Sequence, residues 1–133
     1  MPNITITDND LNSPILADAD FRDELLTFAG ADTLAPGTIL ARDSGTLKLV
    51  IFVKGGVTNE NGIPKAILTY EVVAAGAGDE TIRAGLAGKY RKEKLVIDAD
   101  GDDSNIDAAV IDQLRGYGLT PIDVKELNIA DNS

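Results

Sequence analysis

Thr46-Leu47-Lys48-Leu49-Val50-Ile51-Phe52-Val53 places Leu47, Leu49, Ile51 and Val53 at alternate positions. Period two predicts a strand with one buried face. Working outward, Asp43-Ser44-Gly45 supplies a turn, and Thr38–Arg42 before it reads as a second strand that opens from the turn Pro36-Gly37. On the other side, Lys54-Gly55-Gly56 breaks the run and Asn59-Glu60-Asn61-Gly62 predicts a tight turn, because Asn and Gly tolerate positive φ. Ile63-Pro64 then leads into Lys65–Val73, which reads as one long strand. The stretch 36–73 is thus the spine of a small, mainly β core.

Beyond it, Ala74–Asp79 is a loop of small residues, and Glu80–Leu86 alternates again with Ile82, Ala84 and Leu86 on one face. A late helix is predicted near 104–116: Asp103 or Ser104 caps it, Ile106, Val110, Ile111 and Leu114 form its apolar face, and Gly116 and Gly118 end it. Leu119–Leu127 reads as a last short strand or packed tail, and Asn128–Ser133 as a fraying end.

Upstream of the spine, Phe21, Leu25 and Phe28 fall at i, i+4 and i+7, the spacing of one helix face. Asp18 or Asp20 suits the N-cap and Gly30 the stop, so a short helix is predicted there. Its apolar face packs on the chain's own core or docks on a neighbouring subunit. Asn3-Ile4-Thr5-Ile6-Thr7 alternates as a short strand, yet the polar stretch that follows cuts it off from the core. It reads either as an arm that pairs with another chain or as a frayed end. Residues 1–35 therefore form an N-terminal arm with a short helix, and residues 36–133 the main domain.

Composition narrows the function. The chain of 133 residues is 44% hydrophobic, enough for one core. No apolar run approaches the roughly 20 residues that span a bilayer, and no signal peptide is visible at Met1-Pro2-Asn3-Ile4. The chain has no Cys, His or Trp, which removes disulfides, the thiol nucleophile, the commonest general base and the usual zinc ligands. Carboxylate, lysine or serine chemistry is left, but scattered carboxylates form no specific acid–base pair, and the sequence points away from an enzyme. The net charge of −10 is uneven: −6 over residues 1–36, +3 over 37–97 and −7 over 98–133. That balance argues against direct nucleic-acid binding and for solubility and electrostatic choice of partner. Lys89, Arg91, Lys92 and Lys94 read as a solvated face or as a patch for an acidic protein.

Asp98, Asp100 and Asp102 carry oxygen ligands at alternate positions, the opening of a calcium loop. The pattern then departs from that of an EF-hand, with Asp103 where glycine belongs and Ala109 where a bidentate glutamate belongs. The three aspartates are weak metal candidates, and a solvated acidic turn is the simpler reading. No other cofactor is called for.

An ordered succession of segments resembles the lambda-type head decoration proteins of tailed phages. Pro36-Gly37-Thr38-Ile39-Leu40-Ala41 is similar to that family's proline-glycine lead into its first β-segment. Pro64-Lys65-Ala66-Ile67-Leu68-Thr69-Tyr70-Glu71-Val72 resembles its alanine-isoleucine-leucine run, with the small-residue loop to Asp79 next. Thr81–Gly88 with Lys89 and Tyr90 resembles its next strand, and Ile106–Leu119, with Ile111, Leu114, Arg115 and Gly118, its final helix. The likeness covers about residues 36–120; residues 1–35 are longer than that family's arm and 121–133 run past its usual end. It implies a β-tulip-like small barrel or sheet domain, α+β in class, and a homotrimer on the outer surface of the phage head. It implies a virion protein made in the host cytoplasm that binds the major capsid protein and stabilises the expanded shell, with no catalysis and no membrane. Asn3, Ile4, Thr5, Ile6 and Thr7 would then add a strand to the capsid protein, with Ile15, Leu16, Phe21, Leu25 and Phe28 docking beside it. A calcium-dependent binding or adhesion module using the loop 98–103 is the alternative.

Overall fold

The computed structural model describes residues 13–122. They are mostly strand, with one α-helix and a small closed barrel of five strands. The strands are β1 (Ile15–Phe28), β2 (Asp32–Leu34), β3 (Ile39–Arg42), β4 (Leu49–Ile51), β5 (Pro64–Leu68), β6 (Val72–Ala74), β7 (Gly78–Arg91) and β8 (Leu119–Ile122); the helix α1 spans Ala108–Gly116. Around the barrel the order is β1-β4-β3-β5-β7, and β7 pairs back onto β1 to close it. The β1–β4 contact is parallel (Leu26 opposite Leu49), while the other four barrel pairings are antiparallel. β8 joins β7 in parallel beyond the point where β5 leaves it, with Gly88 opposite Leu119 and Arg91 opposite Ile122.

Two hydrophobic cores result, one on each side of β3 and β5. Inside the barrel lie Leu26, Phe28, Leu40, Leu49, Ala66, Leu68, Ile82 and Ala84. The β2–β6 ribbon folds over one end and contributes Leu34, Val72 and Ala74 to that interior. Outside the barrel, Ile39, Ala41 and Ile67 meet Phe52, Tyr90, Leu95, Val110, Leu114 and Leu119. Because β3 and β5 are covered on both faces, Ile39-Leu40-Ala41 and Ala66-Ile67-Leu68 are continuous apolar runs rather than alternating ones.

The helix expected over residues 18–30 is not formed; that stretch is β1. Its eleven register pairs with β7 satisfy the backbone of both strands, and this long-range pairing overrides the local helix signal. The apolar residues also obey period two near the end of the strand, where Leu26 and Phe28 enter the barrel and Leu25 faces out. Register shifts between Ile15 and Phe21, with Asp18 at φ 55°, blur the alternation upstream. Residues 15–28 are therefore barrel wall and not arm.

The stretch 46–53 holds a strand only at Leu49–Ile51. Leu47 sits in a turn closed by its own N–H on the Asp43 carbonyl (2.8 Å) and is exposed, as is Val53, whereas Phe52 is the residue that is buried. The predicted strand 65–73 is two strands, because after Leu68 the chain leaves the barrel wall to make the ribbon. The late helix is present but starts later, capped by Asp107, whose Oδ1 accepts the Val110 N–H at 3.1 Å. Ile106 before the cap and Ile111 in the first turn both join the outer core, the pattern of a hydrophobic staple.

Leu47 has φ 65°, a left-handed conformation that costs a residue with a Cβ roughly 1–2 kcal/mol. Its side chain is exposed, and its carbonyl accepts a hydrogen bond from Arg42 Nη1 at 2.7 Å, which any residue retains. Leu47→Gly is expected to stabilise the fold by about 0.5–1 kcal/mol, after the greater freedom of glycine in the unfolded chain is subtracted. A higher urea midpoint at unchanged slope checks it; an unchanged or lower midpoint contradicts it.

Candidate functional site

The region with the most specific construction lies where β7 ends. Tyr90 and Arg91 stand between the first residues of β1 and the last of β8: Tyr90 is opposite Ile15 on one side and Pro121 on the other. The Arg91 N–H donates to the Pro14 carbonyl at 2.7 Å, and its Nε to the Ser13 carbonyl at 3.0 Å. Arg91 is buried, so its guanidinium serves as a lock that fixes the chain at Ser13. Tyr90 is buried beneath it with its hydroxyl donating to the Ala87 carbonyl at 2.8 Å. Burial first, and the negative charge of Asp20 second, push this phenol up to about 12. The chain before Ser13 and the chain after Ile122 thus leave the barrel two strand spacings apart, about 10 Å. The 3₁₀ turn Lys92–Lys94 follows Arg91 directly, with Lys92 and Lys94 half-buried.

Asn3, Ile4, Thr5, Ile6 and Thr7 lie outside the described residues. Of the other residues expected on the capsid-binding arm, Phe21 and Leu25 share the outer face of β1, and Phe28 points into the barrel. Phe28 is 2% exposed inside the barrel, and Ile15 packs on the outer core. Leu16 is half-buried; Phe21 is half-buried with the Arg83 guanidinium 5.4 Å from its ring centroid; Leu25 alone is largely open. Phe28 is a core residue whose burial leaves nothing to offer a partner, whereas Ile15 is half-buried against the outer core.

The calcium arrangement is not formed either. Asp98 turns toward Asp32 on β2, Asp100 is exposed, and Asp102 Oδ1 accepts the Ser104 N–H at 2.9 Å. Hydrogen bonds from the Ser104 side chain and backbone hold Asp102 below its ordinary value. A turn closed on the Ile97 carbonyl, with Gly101 at φ 74°, sends these side chains in different directions. Among the described residues no group of three metal-ligating side chains comes together.

The Asp98–Asp32 contact escaped the sequence, since 66 positions separate the two residues. Desolvation, and then the Asp32 carboxylate through hydrogen bonding and charge, raise Asp98 to about 6. The folded state therefore holds a proton that the unfolded chain releases near pH 4. Stability from this pair is present below about pH 4 and is lost as pH rises through about 6. Both groups are partly open to water, which limits the effect to about 1 kcal/mol. Asp32→Asn keeps an oxygen for the Thr33 N–H, which Asp32 Oδ1 accepts at 2.8 Å. It is expected to raise the melting temperature by a few degrees at pH 7.5 and to have no effect at pH 4. An equal shift at both values contradicts this account.

Charges that are segregated along the sequence meet in space. Arg42 forks onto Glu24 (3.2 and 3.3 Å), Arg83 approaches Asp23 (3.6 Å), Lys89 approaches Asp18 (3.5 Å) and Lys54 binds Asp107 (2.8 Å). Each joins a base of the middle segment to an acid of one of the two ends. Four acids of the two ends are thereby paired within the chain, and Lys89 and Arg91 of the basic run have partners there as well.

A cleft of about 770 Å³ lies between the loop 54–63 and α1. Among the described residues no helix is long and apolar enough to cross a membrane. No protein-family model matches the chain, and no curated protein matches it in sequence.

Proposed function

We propose that this chain is a non-enzymatic decoration protein of a tailed-phage head, a homotrimer that binds the outer surface of the major capsid protein shell and stabilises it. The observation that carries the proposal is a closed barrel preceded in the chain by a strand-like sequence, Asn3–Thr7. The barrel has no free edge, β8 is four residues long and contains Pro121, and the ribbon strands have three residues each. Among the described residues there is thus little sheet edge onto which a partner strand can add. Asn3–Thr7 precedes the lock at Ser13 and carries the alternation that strand addition uses, with Ile4 and Ile6 as the side chains for a partner's pockets. Strand exchange then runs outward, from this chain to the capsid protein. Three such arms on one trimer act together, so each contact is modest while the assembly holds firmly.

The order of segments from Pro36 to Thr120 described above supports the same reading. Electron cryomicroscopy of expanded heads mixed with the protein tests it. Trimeric density at local threefold positions is the expected result, and bare heads at saturating protein overturn the proposal.

A further inference from the structure

The loop 54–63 is built around one residue. Asn61 uses three groups at once: its N–H donates to the Thr58 carbonyl (2.9 Å), its carbonyl accepts the Val53 N–H (2.9 Å) and its Oδ1 accepts the Thr58 N–H (3.2 Å). Its side chain lies against Gly56, where an added methyl group would overlap Oδ1. Gly62 packs on the same glycine, backbone to backbone, so that a Cβ there would overlap the Gly56 carbonyl oxygen. Further bonds close the loop around this contact: Gly56 N–H on the Val53 carbonyl (2.8 Å), Ile63 N–H on the Glu60 carbonyl (3.2 Å) and Ser44 N–H on the Asn59 carbonyl (3.1 Å). Asn61 is half-buried and Gly62 is buried.

Asn61-Gly62 is also the only Asn-Gly step in the chain. That dipeptide carries a reaction of its own, because glycine has no side chain to hinder the approach of its nitrogen. The Gly62 nitrogen attacks Asn61 Cγ, the Cγ–Nδ2 bond breaks, and Nδ2 leaves as ammonia with the proton that the Gly62 nitrogen gives up. Water then opens the cyclic imide at either carbonyl. The product is aspartate or, where the chain now runs through Cγ, isoaspartate. Ring closure needs Asn61 Cγ and the Gly62 nitrogen free to turn toward each other, and the folded loop holds both residues against Gly56.

We propose that Asn61-Gly62 is a modification site gated by the loop 54–63. The closed loop protects it, an opened loop lets it react, and the isoaspartyl product does not close again. In that product the carbonyl that accepted the Val53 N–H has become a free carboxylate, next in sequence to Glu60. The main chain is longer by a carbon just before Gly62, where the contact with Gly56 leaves no room. The Gly62 carbonyl, which accepts Gln113 Nε2 at 3.4 Å, is displaced with it, so the loop loses its tie to α1. This inference stands apart from the capsid reading and requires no partner.

The full chain is held at mildly alkaline pH in native buffer and in urea, and peptide mapping by mass spectrometry follows the segment that contains Asn61. Reaction through an opened loop proceeds at the unfolded rate multiplied by the open fraction, so loss of Asn61 is expected to be at least about tenfold slower in native buffer. Equal rates in the two solvents overturn the proposal, as does the absence of reaction in urea. Gly56→Ala tests the clamp, since its methyl group displaces the Asn61 side chain. The folded variant is expected to react faster than the folded parent, with no change in urea; an unchanged rate in the folded variant overturns the clamp. The first comparison uses no variant and stands whether or not Gly56→Ala folds. After refolding, the isoaspartyl form is expected to be cut within 54–63 by a nonspecific protease at least about tenfold faster than unmodified chain taken through the same urea step. Equal resistance overturns the claim that the product stays open.

Discussion

Deleting residues 1–12 is expected to leave a folded barrel that no longer adds to expanded phage heads. The cut spares every contact of the lock, because Arg91 holds the carbonyls of Ser13 and Pro14. A deletion reaching through residue 14 would remove both acceptors and leave the buried guanidinium without them, confusing loss of binding with loss of fold. The shorter deletion separates the two. Its melting temperature should stay within a few degrees of the intact chain, while binding to heads falls by at least about a hundredfold, since three arms are lost together from each trimer. Replacing Ile4 and Ile6 by aspartate in the full chain should reproduce most of that loss. Undiminished binding by the truncated barrel would exclude the arm as the grip.

The second large effect concerns stability. Gly37 lies at φ 94°, with its N–H on the Leu68 carbonyl (2.8 Å) and its own carbonyl accepting from Val96 (2.9 Å). A methyl group there would stand 2.9 Å from the Lys94 carbonyl carbon and closer still to its oxygen. Backbone cannot swing aside as a side chain does, so strain in φ and a steric clash act together. Gly37→Ala is expected to cost about 3 kcal/mol or more and to lower the melting temperature by roughly 10–20 °C. Gly30→Ala is the matched control, because nothing lies within 4 Å of a Cβ at that position. Equal melting temperatures for the two variants would show that the Gly37 crossing is not tight.

The class of fold was legible because its signal is local. Apolar runs bounded by turn residues mark β3 and β5, alternation marks the centre of β4, and the turn at Asn59–Gly62 is borne out by positive φ at Asn59 and Glu60. The identity of β1 was not legible. Phe21, Leu25 and Phe28 fit a helix face as well as they fit a bulged strand, and only the distant partner β7 decides between them. The same limit hid the Asp32–Asp98 contact and the lock between Arg91 and Ser13, which join residues 66 and 78 positions apart. It also hid four ion pairs between the middle segment and the two ends. Asp18, Asp23, Glu24 and Asp107, four acids of the two ends, answer bases within the chain. Of the expected arm, only the part before Ser13 keeps its standing as a candidate grip.

The pairing of β1 with β7 also sets a timetable for synthesis. Phe28 meets Gly78 and Ile15 meets Tyr90, so the longest strand on the N-terminal side lacks its complete antiparallel partner until Arg91 has left the ribosome. At about 5–20 residues per second that interval lasts roughly 3–13 s, far longer than a hairpin takes to form. Throughout it, β1 has only its parallel contact with β4, and the barrel closes only once β7 has been made.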